Sequence, residues 1–141
     1  MQNRICVIDG QGGGIGATVI KYLKREYGER VELIALGTNA IATAQMMKAR
    51  ANRGATGENA IVRTVGRSDL VVGPVTITWS NAMMGEVTPR IADAVMSASA
   101  PKILLPLFQD DRLIALLRLS EKANLRPLSR NEVKFLGKIA T

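Results

Sequence analysis

Five of the seven residues from Gly10 to Gly16 are glycine, with Asp9 before them and Ala17 after. A run this dense can cradle an anion, because backbone N–H groups approach a phosphate closely only where no side chain intervenes. It can also be the tight turn a buried strand needs before its helix, and the two readings are compatible. The dinucleotide-binding fingerprint fits in two registers. Gly12, Gly14 and Ala17 give G-x-G-x-x-A, while Gly10, Gly14 and Gly16 give the G-x-x-x-G-I-G spacing of short-chain dehydrogenases. The candidate contacts to an anion, or to a nucleotide such as NAD(P), are therefore Gly10, Gln11, Gly12, Gly13 and Gly14.

Other polar residues fall where they could face the same ligand. Thr38 and Asn39 follow the second apolar run, where they can cap a helix and still touch a substrate; Thr43 lies about one turn further on. The stretch "GATGENA" (54–60) supplies Glu58 and Asn59, and the long stretch 73–89 supplies Asn81 and Glu86. The chain has no histidine. Any acid–base catalysis would fall to Asp9 or Glu86, since burial can tune a carboxylate to that task.

Several familiar chemistries lack their parts. The end of the second strand reads "ALGTNA", with no acid for a ribose and no arginine for a 2′-phosphate. Both tyrosines, Tyr22 and Tyr27, lie in the first helix, so no Tyr-x-x-x-Lys pair exists, and no Gly-Lys-Ser/Thr follows the glycines to make a P-loop. These gaps argue against an ordinary NAD dehydrogenase and leave the cofactor undetermined. No metal site is expected, and Asp110 with Asp111 reads as a solvated turn. Cys6 lies within the first apolar run and reads as a buried, inert thiol.

The elements that must position these residues form an alternating series. "RICVIDG" (4–10) is a buried strand. An amphipathic helix follows over 15–28, with Ile15, Val19, Leu23 and Tyr27 on its apolar face and Gly28 as its stop. "RVELIALG" (30–37) is a second strand and 38–51 a second helix. The stretch 54–68 reads as a turn followed by one or two helical turns. "DLVVGPV" (69–75) is a third strand. After the long connection, Thr88 and Pro89 open a helix over 89–99, with Ile91, Val95 and Ala98 inward. "KILLPLF" (102–108) is a fourth strand and "RLIALLRL" (112–119) a fifth, antiparallel to it at an edge. "SRNE" (129–132) matches a capping box and opens a last helix at 130–140. Strand and helix in alternation predict one three-layer, Rossmann-like α/β domain over 1–141, with a mostly parallel sheet of about five strands.

The whole chain has 141 residues, no apolar run long enough to span a membrane, and one cysteine, which together predict a cytoplasmic protein. Its net charge of +7 is uneven: residues 112–141 carry 7 basic and 2 acidic side chains. A second basic cluster comprises Lys48, Arg50, Arg53, Arg63 and Arg67. Such surfaces attract phosphate-bearing or acidic partners. Nucleic acid is disfavoured, because none of the few aromatics forms a stacking motif. Trp79, Met83 and Met84 in the long connection suit packing or a contact between copies, so a homo-oligomer is expected.

The phrases "VIDGQGGGIG", "ALGTNAIAT", "GATGENAI", "NAMMGEVTP" and "KILLPL" resemble, in this order and over about residues 4–108, an uncharacterised bacterial family known only as a domain of unknown function. The resemblance implies a small cytoplasmic Rossmann-like protein and supplies no activity, cofactor or catalytic residue. Two functions remain in play. One is binding of a nucleotide or other phosphate-bearing small molecule at the glycine loop. The other is a non-enzymatic assembly or regulatory module, which dimerises through 77–87 and meets an acidic partner through its basic C-terminal segment.

Overall fold

The computed structural model describes residues 2–106 and, beyond them, the strand segments 108–109, 112–113, 117–119 and 125–127. The central strand is β1 (Asn3–Asp9), whose residues 5–9 are all buried, as expected of a strand covered on both faces. It leads through the glycine loop into α1 (Gly14–Tyr27) and then β2 (Val31–Gly37). α2 (Ala40–Lys48), β3 (Arg53–Thr56), α3 (Glu58–Val65), β4 (Leu70–Pro74), α4 (Pro89–Ser97) and β5 (Lys102–Leu105) complete the alternation. β1 to β5 are mutually parallel in the order β3-β2-β1-β4-β5, the arrangement of a doubly wound Rossmann-like sheet.

The period-two alternation of strand side chains divides the core. Ile5, Val7, Leu33, Ala35 and Val72 pack with Val19, Ile20 and Leu23 of α1 and Met46 of α2. On the other face Cys6, Ile8, Ile34, Leu36 and Val71 pack with Ile61 and Val65 of α3 and Ile91 and Val95 of α4. Cys6 is fully buried, and that burial pushes its thiol pKa up, which outweighs the opposing hydrogen bond with Ser68. The buried stripe of α1 is Gly16, Val19, Ile20 and Leu23, whereas Ile15 and Tyr27 at the helix ends are 42% and 38% exposed. The expected apolar face is thus narrower than the sequence pattern, with both of its end residues left exposed.

Two expectations about strands need correction. Residues 54–56, read as part of a turn, form with Arg53 the edge strand β3 beside β2. They lack an apolar run because this edge is largely exposed. The single strand expected over 112–119 is two segments. β7 (Arg112–Leu113) pairs with β6 (Phe108–Gln109), and β8 (Leu117–Leu119) pairs antiparallel with β5. β9 (Leu125–Pro127) adds antiparallel to β8 and extends the sheet to seven strands. The helix expected at 130–140 lies outside the described residues, as do Asp110 and Asp111. No helix among the described residues is long and apolar enough to cross a membrane.

Candidate functional site

The order β3-β2-β1-β4-β5 reverses chain direction across the sheet between β1 and β4. Crevices in such sheets open there, beyond the carboxyl ends of the strands. Three connections meet at this point: residues 10–13 after β1, Thr38 and Asn39 after β2, and the long stretch 75–88 after β4.

The glycines have separable tasks. Gly13 caps α1 in a left-handed conformation (φ 74°), and its N–H donates to Gly10 O at 2.9 Å. A Cβ on Gly13 would stand 2.7 Å from Ala42 Cα and 2.8 Å from Ala42 O, both rigid backbone atoms of α2. A Cβ on Gly16 would meet Met46 Sδ at 2.5 Å and Asp9 Cβ at 2.9 Å. These two glycines let α1 close on β1 and α2. Gly12 and Gly14 serve no such packing, since a Cβ at either would have no neighbour within 4 Å. Their backbone faces open space.

Asp9, only 4% exposed, turns its carboxylate into the loop. Its Oδ1 accepts the Gly10 N–H at 2.8 Å, and its Oδ2 accepts the Gly16 N–H of the first turn of α1 at 2.7 Å. Burial raises its pKa above the ordinary carboxylate value despite the two N–H donors, and the nearby Glu86 charge pushes the same way. Asp9 therefore acts as a cap for α1 delivered from the preceding strand.

Glu86 reaches the loop from the far side. Its Oε1 accepts the Thr38 hydroxyl at 2.9 Å and the Asn39 side-chain amide, and the Gln11 N–H lies 3.2 Å from both carboxylate oxygens. Burial works to raise its pKa, but the hydrogen bonds from Asn39, Thr38 and Gln11 outweigh it and hold the group below the ordinary value. Asn39 also caps α2, its Oδ1 accepting the Ala42 N–H at 2.8 Å, and its Nδ2 donates to Gln11 O at 3.0 Å. The Thr38 N–H donates to Asp9 O at 2.9 Å.

After these bonds, the amides of Gly12, Gly14 and Ile15 have no partner among the described residues. They stand at the positive end of the 14-residue α1, where the Asp9 side chain takes only the Gly16 N–H. The sequence reads Ile15 only as part of the apolar face of the helix; its place at this site follows from its position as the second residue of α1.

The remaining candidates are placed differently. Glu58 opens α3, and its carboxylate is engaged by the Thr88 hydroxyl at 2.6 Å and by Arg90 at 3.4 Å. Asn59 is exposed on the same turn. Asn81 is exposed with φ 70°, and its N–H donates to Val87 O at 2.6 Å. Met83 and Met84 share this left-handed conformation, so 81–85 is a tight knot that delivers Glu86 to the loop. Thr43 contacts Thr56 Oγ1 at 2.7 Å, joining α2 to β3. No group of three or more His, Cys, Asp or Glu among the described residues could hold a metal ion.

Residues 4–137 match the model of a family described as Domain of unknown function (DUF3842). No curated protein matches the chain. Among solved structures, the chain is similar to a dodecameric FMN-dependent Ubix-like decarboxylase from Escherichia coli O157:H7. That similarity has 16% identity and a TM-score of 0.47, over 99% of this chain and 75% of the other.

Proposed function

We propose that this chain, which belongs to the family described as Domain of unknown function (DUF3842), binds a nucleotide or another phosphate-bearing small molecule at the start of α1. The observation that carries the reading is the set of unpartnered amides at Gly12, Gly14 and Ile15, two of them on bare backbone facing open space. A phosphate there would meet three N–H donors and the favourable end of the helix dipole. Asp9 shapes the loop, with both oxygens committed to backbone amides. Glu86 is the carboxylate that can address a ligand, because its Oε2 shares only the Gln11 N–H. It accepts hydroxyl hydrogens and repels phosphate, so the ligand's charged end is directed toward Gly12–Ile15 and its neutral polar groups toward Thr38, Asn39 and Glu86.

The test is a thermal-shift panel of NAD, NADP, ATP, GTP, coenzyme A and inorganic phosphate at millimolar concentration. A ligand present at about 100 times its Kd stabilises by about 2.7 kcal/mol, a shift of several degrees. The expected result is a shift from at least one member that disappears in Gly14→Val, whose melting without ligand stays near that of the parent. No shift from any member, or one that Gly14→Val leaves intact, overturns the reading. In that case the exposed Trp79 (48%) and Met84 (99%) favour association of copies through 77–87, visible as a dimer mass in sedimentation.

A further inference from the structure

The sheet has a second polar centre on its α3 face, running from the start of β1 along the β3 edge. Arg4 is the second residue of β1, and Asp9 at the glycine loop is the last, about 16 Å further along the strand. Arg53 opens β3. Arg63 lies in the last turn of α3, which runs back from the carboxyl edge, and Arg67 follows one turn later. These four arginines, from two strands, one helix and the turn after it, line a single cavity of about 320 Å³ on the face covered by α3. Ile34 and Ala55 contribute apolar surface to it, and Thr64 adds a polar side chain to its wall.

Charge in this cavity is unbalanced. The acid joined to it is Glu32, which meets Arg4 Nε at 3.1 Å and an Arg53 guanidinium nitrogen at 2.6 Å. Those arginines hold its carboxyl below the ordinary range, so Glu32 stays ionised at neutral pH. Asp69 adds a second carboxylate beside the cavity, accepting the Arg4 backbone N–H at 2.7 Å, so two carboxylates against four guanidiniums leave two positive charges. Arg63 and Arg67 have no ion-pair or hydrogen-bond partner for their side chains among the described residues. Each guanidinium presents five N–H donors in a planar fork, and Glu32 can occupy only a few of those on Arg4 and Arg53. Like charges converging on one concavity repel unless an anion joins them, and a cavity of this kind raises the local concentration of anions.

We propose that this cavity is a second ligand site, which takes an oligophosphate: two or more linked phosphoryl groups, free or as the tail of a nucleoside di- or triphosphate. The two guanidinium pairs, Arg4 with Arg53 on the strands and Arg63 with Arg67 on the helix side, suit adjacent phosphoryl groups. Arginine forks match phosphate oxygens in pairs, which favours this ligand over a diffuse acidic surface. Ile34 and Ala55 offer neutral surface for whatever carries the phosphates.

Titration calorimetry of the full chain with pyrophosphate, ADP, ATP and orthophosphate tests the proposal, run in the Gly14→Val background so that the glycine loop contributes nothing. The critical variant is Arg63→Gln with Arg67→Gln; both side chains are exposed and unpartnered, so folding should be preserved. The control is Lys21→Gln with Arg25→Gln, which removes the same charge from exposed positions on α1, away from the cavity. Pyrophosphate should bind more tightly than orthophosphate, and should weaken at least about tenfold in the arginine variant but less than about twofold in the control. ATP binding like pyrophosphate identifies the phosphates as the recognised part, and tighter ATP binding adds the neutral surface. Absence of binding at millimolar pyrophosphate, equal affinity for orthophosphate, equal losses in both variants, or preference for duplex DNA over pyrophosphate at 300 mM salt would each overturn the assignment.

Discussion

Replacing Gly13 by alanine should damage the fold, while the same change at Gly14 should not, although the two glycines are adjacent. Gly13 sits at φ 74°, where an L side chain costs about 1–2 kcal/mol. Its new Cβ would also lie 2.7 Å from Ala42 Cα and 2.8 Å from Ala42 O, atoms of helix backbone that cannot rotate away. Separating α1 from α2 to relieve that overlap costs about 1–3 kcal/mol more. The combined loss of about 2–5 kcal/mol corresponds, at about 4 °C per kcal/mol for a chain of this size, to a fall in Tm of about 8–20 °C. Gly14 starts α1, and its Cβ would have no neighbour within 4 Å. Alanine there restricts the unfolded chain without strain and should leave stability unchanged or raise it by up to about 1 kcal/mol. Thermal melts of both proteins, followed by circular dichroism, give the comparison. A Gly13→Ala protein that melts within about 2 °C of the parent would refute the packing argument. So would a Gly14→Ala protein that loses more than about 4 °C.

Glu86 and Asp9 should pull the pH dependence of stability in opposite directions. The Glu86 pKa is lowered from 4.5, so its stabilisation is present above 4.5 and is lost as pH falls through the folded value. The Asp9 pKa is raised from 3.8, so folding favours its protonated form, a contribution present below 3.8 and lost as pH rises through the folded value. Glu86→Gln should therefore be less stable than the parent by about 1–2 kcal/mol at pH 6, with the gap narrowing in acid; urea midpoints from pH 2.5 to 6 measure it, and a gap that widens toward acid contradicts the assignment. Asn39→Ala removes the cap of α2 and the bonds to Gln11 and Glu86, and should lower Tm by about 4–8 °C. An unchanged melt for that variant would mean the cap and the bridge contribute nothing.

Much of the frame was legible because it depends on local rules. Apolar runs ending in glycine marked β1 and β2, Thr38 or Asn39 and Thr88 marked helix starts, of which Asn39 caps α2, and Gly28 marked a helix end. β3 escaped because Arg53–Thr56 gains its identity from β2 alongside, and its exposed side chains carry no hydrophobic pattern. The glycine run could be recognised as a strand–helix junction, yet its composition could not apportion the glycines. Only the approach of α2 separates Gly13, which packing requires, from Gly14, which it does not. The inward turn of Asp9 and the bridge from Glu86 are also tertiary facts. Glu86 is 75 residues from Gln11 in sequence, and the left-handed backbone at Met83 and Met84 that brings it there has no signature in those residue types.

The placement of β3 at the margin of the sheet also bears on how the chain avoids sticking to itself. An open sheet edge offers unpaired amides and carbonyls to any neighbouring strand, and long, flat, apolar edges seed aggregation. At the β5 side the described chain extends its own sheet with β8 and β9, so the apolar "KILL" strand is not left at the rim. At the other side the rim is four residues long, opens with a charged arginine and continues with a glycine. A short, charged, weakly strand-forming border is a poor template for a second molecule, and the residue types that hid β3 from pattern reading are the ones that keep this border from recruiting strands.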